Sequence, residues 1–201
     1  MFSFVVDGEC ELWYLQLLKQ EEKLNVYLEP KIPQKKKLKE QFKDVEELTK
    51  ESKKVFWIVD FDDIVEKTNN AKTGSETPLK EFEKFYNKCK NKKYKGKIVV
   101  IINNPCLEFW FLLHFEQTTK YYETYEKLEK PLKKCLSGYE KKEKYYKNRR
   151  ENIYQKLNNN LQKAISNSEK LGEFDFENIK GIAEMYKIFN ELNLNTKLLQ
   201  K

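Results

Sequence analysis

KIVVIINNPCLEFWFLLHF, Lys97–Phe115, sets the fold class. Its first half is a run of β-branched residues, short enough for a buried strand over Lys97–Asn103. Asn104 and Pro105 then offer a capping side chain and a residue pre-set for the first helical position, so the aromatic and leucine run that follows is expected to be a buried helix. The same alternation repeats upstream. Phe2–Val6, Asn25–Glu29 and Val55–Val59 are apolar runs of strand length, the second closed by Pro30 and Pro33. Between them, Cys10–Gln20, Lys35–Ser52 and Leu79–Cys89 place leucines, valines and aromatics at helical spacing, and Thr73–Pro78 is rich in turn formers. Short apolar strands separated by helices need crossover connections, so the order implies an α/β fold with a mainly parallel sheet flanked by helices.

Beyond residue 117 the sequence has no strand signal. Glu123–Leu136 and Glu140–Ser166 have helical composition, and Ile179–Asn193 reads as a terminal amphipathic helix through Ile182, Met185, Tyr186 and Phe189. The expected division is an α/β core over residues 1–119 and a basic helical extension over 120–201 that packs on it. Charge supports the division. The chain's formal charge is +7, yet residues 1–119 hold 21 Lys against 20 acids, while residues 120–150 hold 11 Lys and Arg against 5 Glu. A short segment with that excess attracts a polyanion through phosphate contacts and counterion release.

With 35% charged and 14% aromatic residues, the chain is too apolar for disorder and too polar for a membrane span. Acid follows the first apolar run at once, without the basic start of a secretory signal, so the expected location is cytoplasmic. Cys10, Cys89, Cys106 and Cys135 form no close pair and His114 is the single histidine, which excludes a zinc cluster of ordinary spacing.

In open parallel sheets, ligands gather beyond the carboxyl ends of the strands. Asp7 ends the first apolar run, Asp60 the third and Asn103–Asn104 the fourth, so three separated segments converge on one edge. Asp60, Asp62 and Asp63 form a tight acidic group, and if the strand geometry continues, Asp60 and Asp62 share a face. Carboxylates held that close favour a cation, and oxygen donors suit Mg²⁺ or Mn²⁺. An acidic turn or helix cap would use the same residues. Asp7 and Glu11, four apart around Gly8, share a helical face if the helix starts early, and capping again competes with metal binding. Glu108 stands out as a carboxylate in an apolar helix, where burial demands a cation, a basic partner or water. His114, six residues on, points elsewhere and reads as a core residue.

The segments VVDGECELWYLQLL (Val5–Leu18), VFWIVDFDD (Val55–Asp63) and INNPCLEFWFLLHF (Ile102–Phe115), in this order, resemble the RloB-like and AbiLii-like family, a Toprim-related group of prokaryotic defence loci. The last matches the family pattern NPxxExWxLLHF. The likeness covers about residues 2–116, and Ile179–Leu192 resembles the family's closing helix. It implies a Toprim-like core, with acid–base and metal roles on Asp7 and Glu11, and Mg²⁺ binding on Asp60 and Asp62. In place of the family's EGxTE, this chain has Asp7-Gly8-Glu9-Cys10-Glu11, which retracts the first carboxylate by one methylene.

Together these features imply a metal-dependent nuclease. Asp7, Asp60 and Asp62 are the expected metal ligands, and Asp7, Glu11 and Glu108 the catalytic carboxylates. Lys141, Lys142, Lys144, Lys147, Arg149 and Arg150 are the expected phosphate contacts, with Tyr121, Tyr122, Tyr125, Tyr139, Tyr145 and Tyr146 as stacking surfaces. RNA, with tRNA the first candidate, or DNA would be the substrate, and a defence-system protein a possible partner. The alternatives are a non-catalytic nucleic-acid binder with a degenerate site, and nucleotidyl transfer of the primase kind. No Walker-type phosphate loop is present.

Overall fold

The computed structural model describes residues 1–29, 36–72, 76–94 and 96–194. Pro30, Pro33, Lys35 and the first half of the expected Thr73–Pro78 turn lie outside them. In chain order the elements are β1 (Phe2–Val5), α1 (Glu9–Glu21), β2 (Val26–Glu29), α2 (Leu38–Leu48), β3 (Lys54–Asp60), α3 (Phe61–Asn69), α4 (Pro78–Cys89), β4 (Ile98–Asn104), α5 (Leu107–Leu113), α6 (Tyr125–Cys135), α7 (Glu143–Tyr146), α8 (Ile153–Asn158), α9 (Leu161–Leu171), β5 (Ile182–Ala183) and α10 (Tyr186–Glu191). The fold is α/β. Its five strands run in the order β2-β1-β3-β4-β5; β1 pairs in parallel with both β2 and β3, and β5 is antiparallel to β4. Two compact units, Met1–Val100 and Ile101–Lys201, make up the chain.

In the first unit, β1 and β3 are buried on both faces except at their ends, as strands inside a parallel α/β sheet are, and α2 packs on both. Phe4 and Phe56 stack at 4.8 Å, and Phe42 stacks on Phe85 at 4.5 Å. Burial leaves few polar groups, and those are paired: Trp57 donates its indole N–H to Gln41 at 2.9 Å, and the Ser3 and Ser52 hydroxyls meet at 2.6 Å. Thr77 caps α4 and Pro78 takes its first position, the preference that a missing N–H and fixed φ create.

The second unit is built around α5. All seven of its residues are buried, as an all-round apolar helix requires, and α6, α9 and β5 pack on it. Trp110 stacks on Phe189 at 5.7 Å, and Phe111 meets the rings of Tyr139 and Tyr146. Asn167 donates to the Leu113 carbonyl at 2.8 Å, satisfying an orphan at the helix end.

Three expectations are corrected here. The cap of α5 is Cys106, not Asn104: β4 continues through Asn104, the Asn104–Pro105 bond is cis, and the Asn104 amide donates to the Lys180 carbonyl at 2.7 Å. Glu140–Ser166 is not one helix. Asn152 opens α8 with a reciprocal cap to Gln155 (2.9 and 3.1 Å), and α9 begins anew at Leu161 after Asn158–Asn160. Ile179–Asn193 is not one helix either. Ile182–Ala183 pair with β4 as β5, and the helix is confined to Tyr186–Glu191. Gly181, just before β5, is closely packed: a Cβ there would stand 3.2 Å from the Lys120 carbonyl and from the Phe109 ring, so either neighbour would have to give by a few tenths of an ångström.

Candidate active site

The first unit carries four of the expected acids at two strand-to-helix turns. Asp7 is half-buried in the bend between β1 and α1. Because α1 starts at Glu9 with Gly8 as its cap, Asp7 precedes the helix and shares no helical face with Glu11, the early start being absent. Glu11 is buried and turns its carboxylate back over Gly8, where a Cβ would lie 1.9 Å from Oε2. Gly8 is therefore needed for that close approach. Its φ of −102° is available to any residue, so the sharp turn does not require glycine.

At the second turn, helix α3 follows β3 without a gap. The extended geometry that would have aligned Asp60 with Asp62 ends at Asp60, which is the N-cap, while Asp62 and Asp63 enter the first helical turn. Phe61 between them is fully buried and lies 6.3 Å from Phe82, so core packing sets the direction in which the chain turns. The three carboxylates have separate surroundings. Asp62 accepts the Asp63 amide at 2.8 Å, and Asp63 forms an ion pair with Lys67. Asp60 is the N-cap of α3 but makes no side-chain cap bond to its own helix.

The second unit holds Glu108 in the first turn of α5 with no exposed surface. Three side chains from beyond α5 satisfy it. The Tyr139 hydroxyl donates to Oε1 at 2.6 Å, the Tyr146 hydroxyl approaches the same oxygen at 3.5 Å, and the two hydroxyls are 2.5 Å apart. Lys141 Nζ stands 3.1 Å from Oε2, but at an angle that makes an ion pair without a well-formed hydrogen bond. The same ammonium lies 3.8 Å from the centre of the Tyr125 ring. Burial, and then the charge of Glu108, raise the Tyr125 hydroxyl well above its ordinary pKa.

Cys106, the cap of α5, and Glu108 lie buried together at the start of that helix in the second unit, and Asp60 ends β3 in the first. The family model of the RloB-like protein matches residues 2–192. The chain belongs to the RloB-like family. No curated protein and no solved structure matches it. In this RloB-like protein the match runs well past Phe115, so the loop that supplies Tyr139 and Lys141 and the short helix α7 that supplies Tyr146 lie within the family region.

Within the basic segment the charges differ in their surroundings. Lys142 pairs with Glu140 at 3.0 Å and Lys147 with Glu143 at 2.7 Å, whereas Lys144, Arg149 and Arg150 are exposed. Of the tyrosines, Tyr122, Tyr139 and Tyr146 are buried and cannot stack on bases; Tyr121 is exposed. His114 is a core residue: its Nδ1 meets the Trp110 carbonyl at 2.9 Å, and burial pushes its pKa down to about 4. Cys106 was not read as a site residue, and Tyr139 and Tyr146 were read as stacking surfaces, not as partners of Glu108. Cys106 adjoins Glu108 in the most specific motif, which was a usable signal; the tyrosines join it only through tertiary packing.

Proposed function

We propose that this RloB-like protein is a Toprim-type, metal-dependent nuclease that hydrolyses phosphodiester bonds of RNA or DNA, with a role in prokaryotic defence. The observation that carries the reading is the fully buried Glu108, two residues after the buried Cys106, in a chain of the RloB-like family whose β3 ends on Asp60. The donors fit a divalent cation. Glu108 presents a buried oxygen, Oε2, without a well-formed hydrogen bond, and a carboxylate suits Mg²⁺ or Mn²⁺, with the Cys106 thiol favouring the softer Mn²⁺. When bound, such an ion polarises the phosphate and activates water.

The chain's own residues would do the rest. Tyr139, hydrogen-bonded to Oε1, fixes the Glu108 carboxylate and leaves Oε2 as the oxygen that would hold the ion. Asp7, with Glu11 as the alternative, would take the proton from water, and Asp62 would support the metal ligands. Lys144, Arg149 and Arg150 would hold substrate phosphates. Substrate class is tested by incubating the protein with labelled tRNA, single-stranded RNA and DNA in chelator and again after Mn²⁺ is restored; strand scission only in the second arm is the expected result.

A second reading, a nucleic-acid binder without turnover, is favoured by one observation. Lys141 already neutralises Glu108, and a carboxylate with a basic partner needs no cation. Such a binder would retain the substrate in chelator and leave it intact in Mn²⁺.

A further inference from the structure

Lys141 has two surroundings at once. Its ammonium is the ion-pair partner of a carboxylate with no exposed surface, while 37% of its own side chain is exposed. It sits in the loop after α6 and lines an open cleft of about 330 Å³ together with Tyr125, Glu129, Lys133, Tyr139, Glu140 and Lys142. Lys133 and Lys142 on those walls have surface partners, Glu129 at 2.8 Å and Glu140 at 3.0 Å. Lys141 alone among the three reaches from the cleft to a buried acid.

A buried carboxylate must be neutralised, and a lysine on a flexible four-carbon stem is an exchangeable point charge. The contact is built for exchange: the phenols hold Oε1, and the Lys141 ammonium approaches Oε2 without good hydrogen-bond alignment. We propose that Lys141 is an internal counter-ion that holds Glu108 in the metal-free protein, gives way when a divalent cation takes Oε2, and then presents its ammonium in the cleft to a phosphate of the nucleic-acid substrate. This rests on the metal-dependent reading above. The exchange joins metal occupancy to substrate affinity, because the cation that completes the site also releases a positive charge to the cleft. The Tyr125 ring, 3.8 Å from the ammonium, gives the charge a favourable surface along its path.

The test is Mn²⁺ binding by electron paramagnetic resonance, without nucleic acid, to the full chain and to Lys141→Met and Lys141→Arg. Removing the competing charge should tighten Mn²⁺ binding by roughly tenfold or more in Lys141→Met. Lys141→Arg, which keeps the charge and so preserves the fold, should bind no tighter than the parent. Nucleic-acid affinity supplies the second readout. Adding Mn²⁺ should steepen the salt dependence of the parent by about one phosphate contact, a slope of roughly 0.7–0.9, and should leave that of Lys141→Met unchanged. Equal Mn²⁺ affinity in all three proteins, or an equal gain in slope, overturns the exchange and leaves the metal site standing. Absence of Mn²⁺ binding from all three overturns the metal reading and the exchange with it.

Discussion

Glu108 and Glu184 are both fully buried glutamates of the second unit, each paired with a lysine, yet they are held in different ways. Glu184 follows β5 and is tied to backbone. Its Oε2 accepts the Ile102 amide at 3.0 Å, and its Oε1 accepts the Phe174 amide at 3.1 Å and Lys187 at 2.8 Å. Its own amide also donates to the Ile102 carbonyl. Four bonds thus join β4, the segment before β5 and the start of α10. Among the described residues, Glu108 has only side-chain partners, two phenols and one lysine from a loop. Backbone donors cannot leave without unfolding the elements that bear them; side-chain donors can rotate away. The comparison separates a carboxylate that fastens the fold from one whose partners can be exchanged.

The largest effect that would break this contrast is on stability. Glu184→Ala should cost about 3–5 kcal/mol, since it strands Lys187 and two buried amides, whereas Glu108→Gln should cost roughly 1–2 kcal/mol because Lys141 can turn to water. Thermal melting of the two variants checks the order, and equal losses would end the distinction. Cleavage should follow the reverse order: lost in Glu108→Gln, and in Glu184→Ala reduced only in proportion to the unfolded fraction.

Acid supplies the next test. Folding depresses the His114 pKa from 6.5 to about 4, chiefly through burial, so the unfolded chain binds more protons between those values. Its contribution is therefore present above pH 6.5 and is lost as pH falls toward 4, on the order of 3 kcal/mol. His114→Gln should flatten that part of the stability profile. The Glu184–Lys187 pair responds at the opposite end. Burial opposes the Lys187 charge, but the Glu184 carboxylate outweighs it and raises the ammonium above its ordinary 10.5. That stabilisation is complete below pH 10.5 and disappears as pH rises through the folded-state value, so Lys187→Met should remove the alkaline part of the profile and leave the acid part unchanged.

A finer distinction lies within the Glu108 pocket. Tyr139→Phe removes the 2.6 Å donor and should destabilise by about 1–2 kcal/mol and weaken Mn²⁺ binding, while Tyr146→Phe, whose hydroxyl is 3.5 Å from the carboxylate, should do less of both. The smallest effects belong to the surface. Exchanging Lys144, Arg149 or Arg150 for Gln should each lower the slope of log K against log salt by roughly 0.7–0.9, whereas Lys142 and Lys147, already paired with glutamates, should contribute less.

The contrast also marks what sequence could reveal. Strands β1, β3 and β4 were legible because a run of four to seven apolar residues is itself a signal, and Glu108 was legible because a carboxylate among LEFWFLL violates its surroundings. Strand β5 was hidden because two residues have no periodicity, and the Ile182, Met185, Tyr186 and Phe189 spacing imitates a helical face. The turn of α3 immediately after Asp60 was missed because acidic residues suit an extended edge and a first helical turn equally well. Tyr139, Lys141 and Tyr146 follow Glu108 by 31 to 38 residues, so only tertiary packing joins them. Glu184 was hidden for the same reason: its backbone donors at Ile102 and Phe174 come from different parts of the chain.

The central claim is that the Asp60 and Glu108 carboxylates support metal-dependent strand scission. The most direct measurement follows end-labelled tRNA and single-stranded DNA over time with the parent protein and Asp60→Asn, in Mn²⁺ and in chelator. The account predicts scission by the parent in Mn²⁺ alone and none by Asp60→Asn, whose melting temperature without metal should equal or exceed the parent's because a carboxylate charge has been removed without losing a cap. Scission that persists in chelator, or at the parental rate in Asp60→Asn, would contradict it.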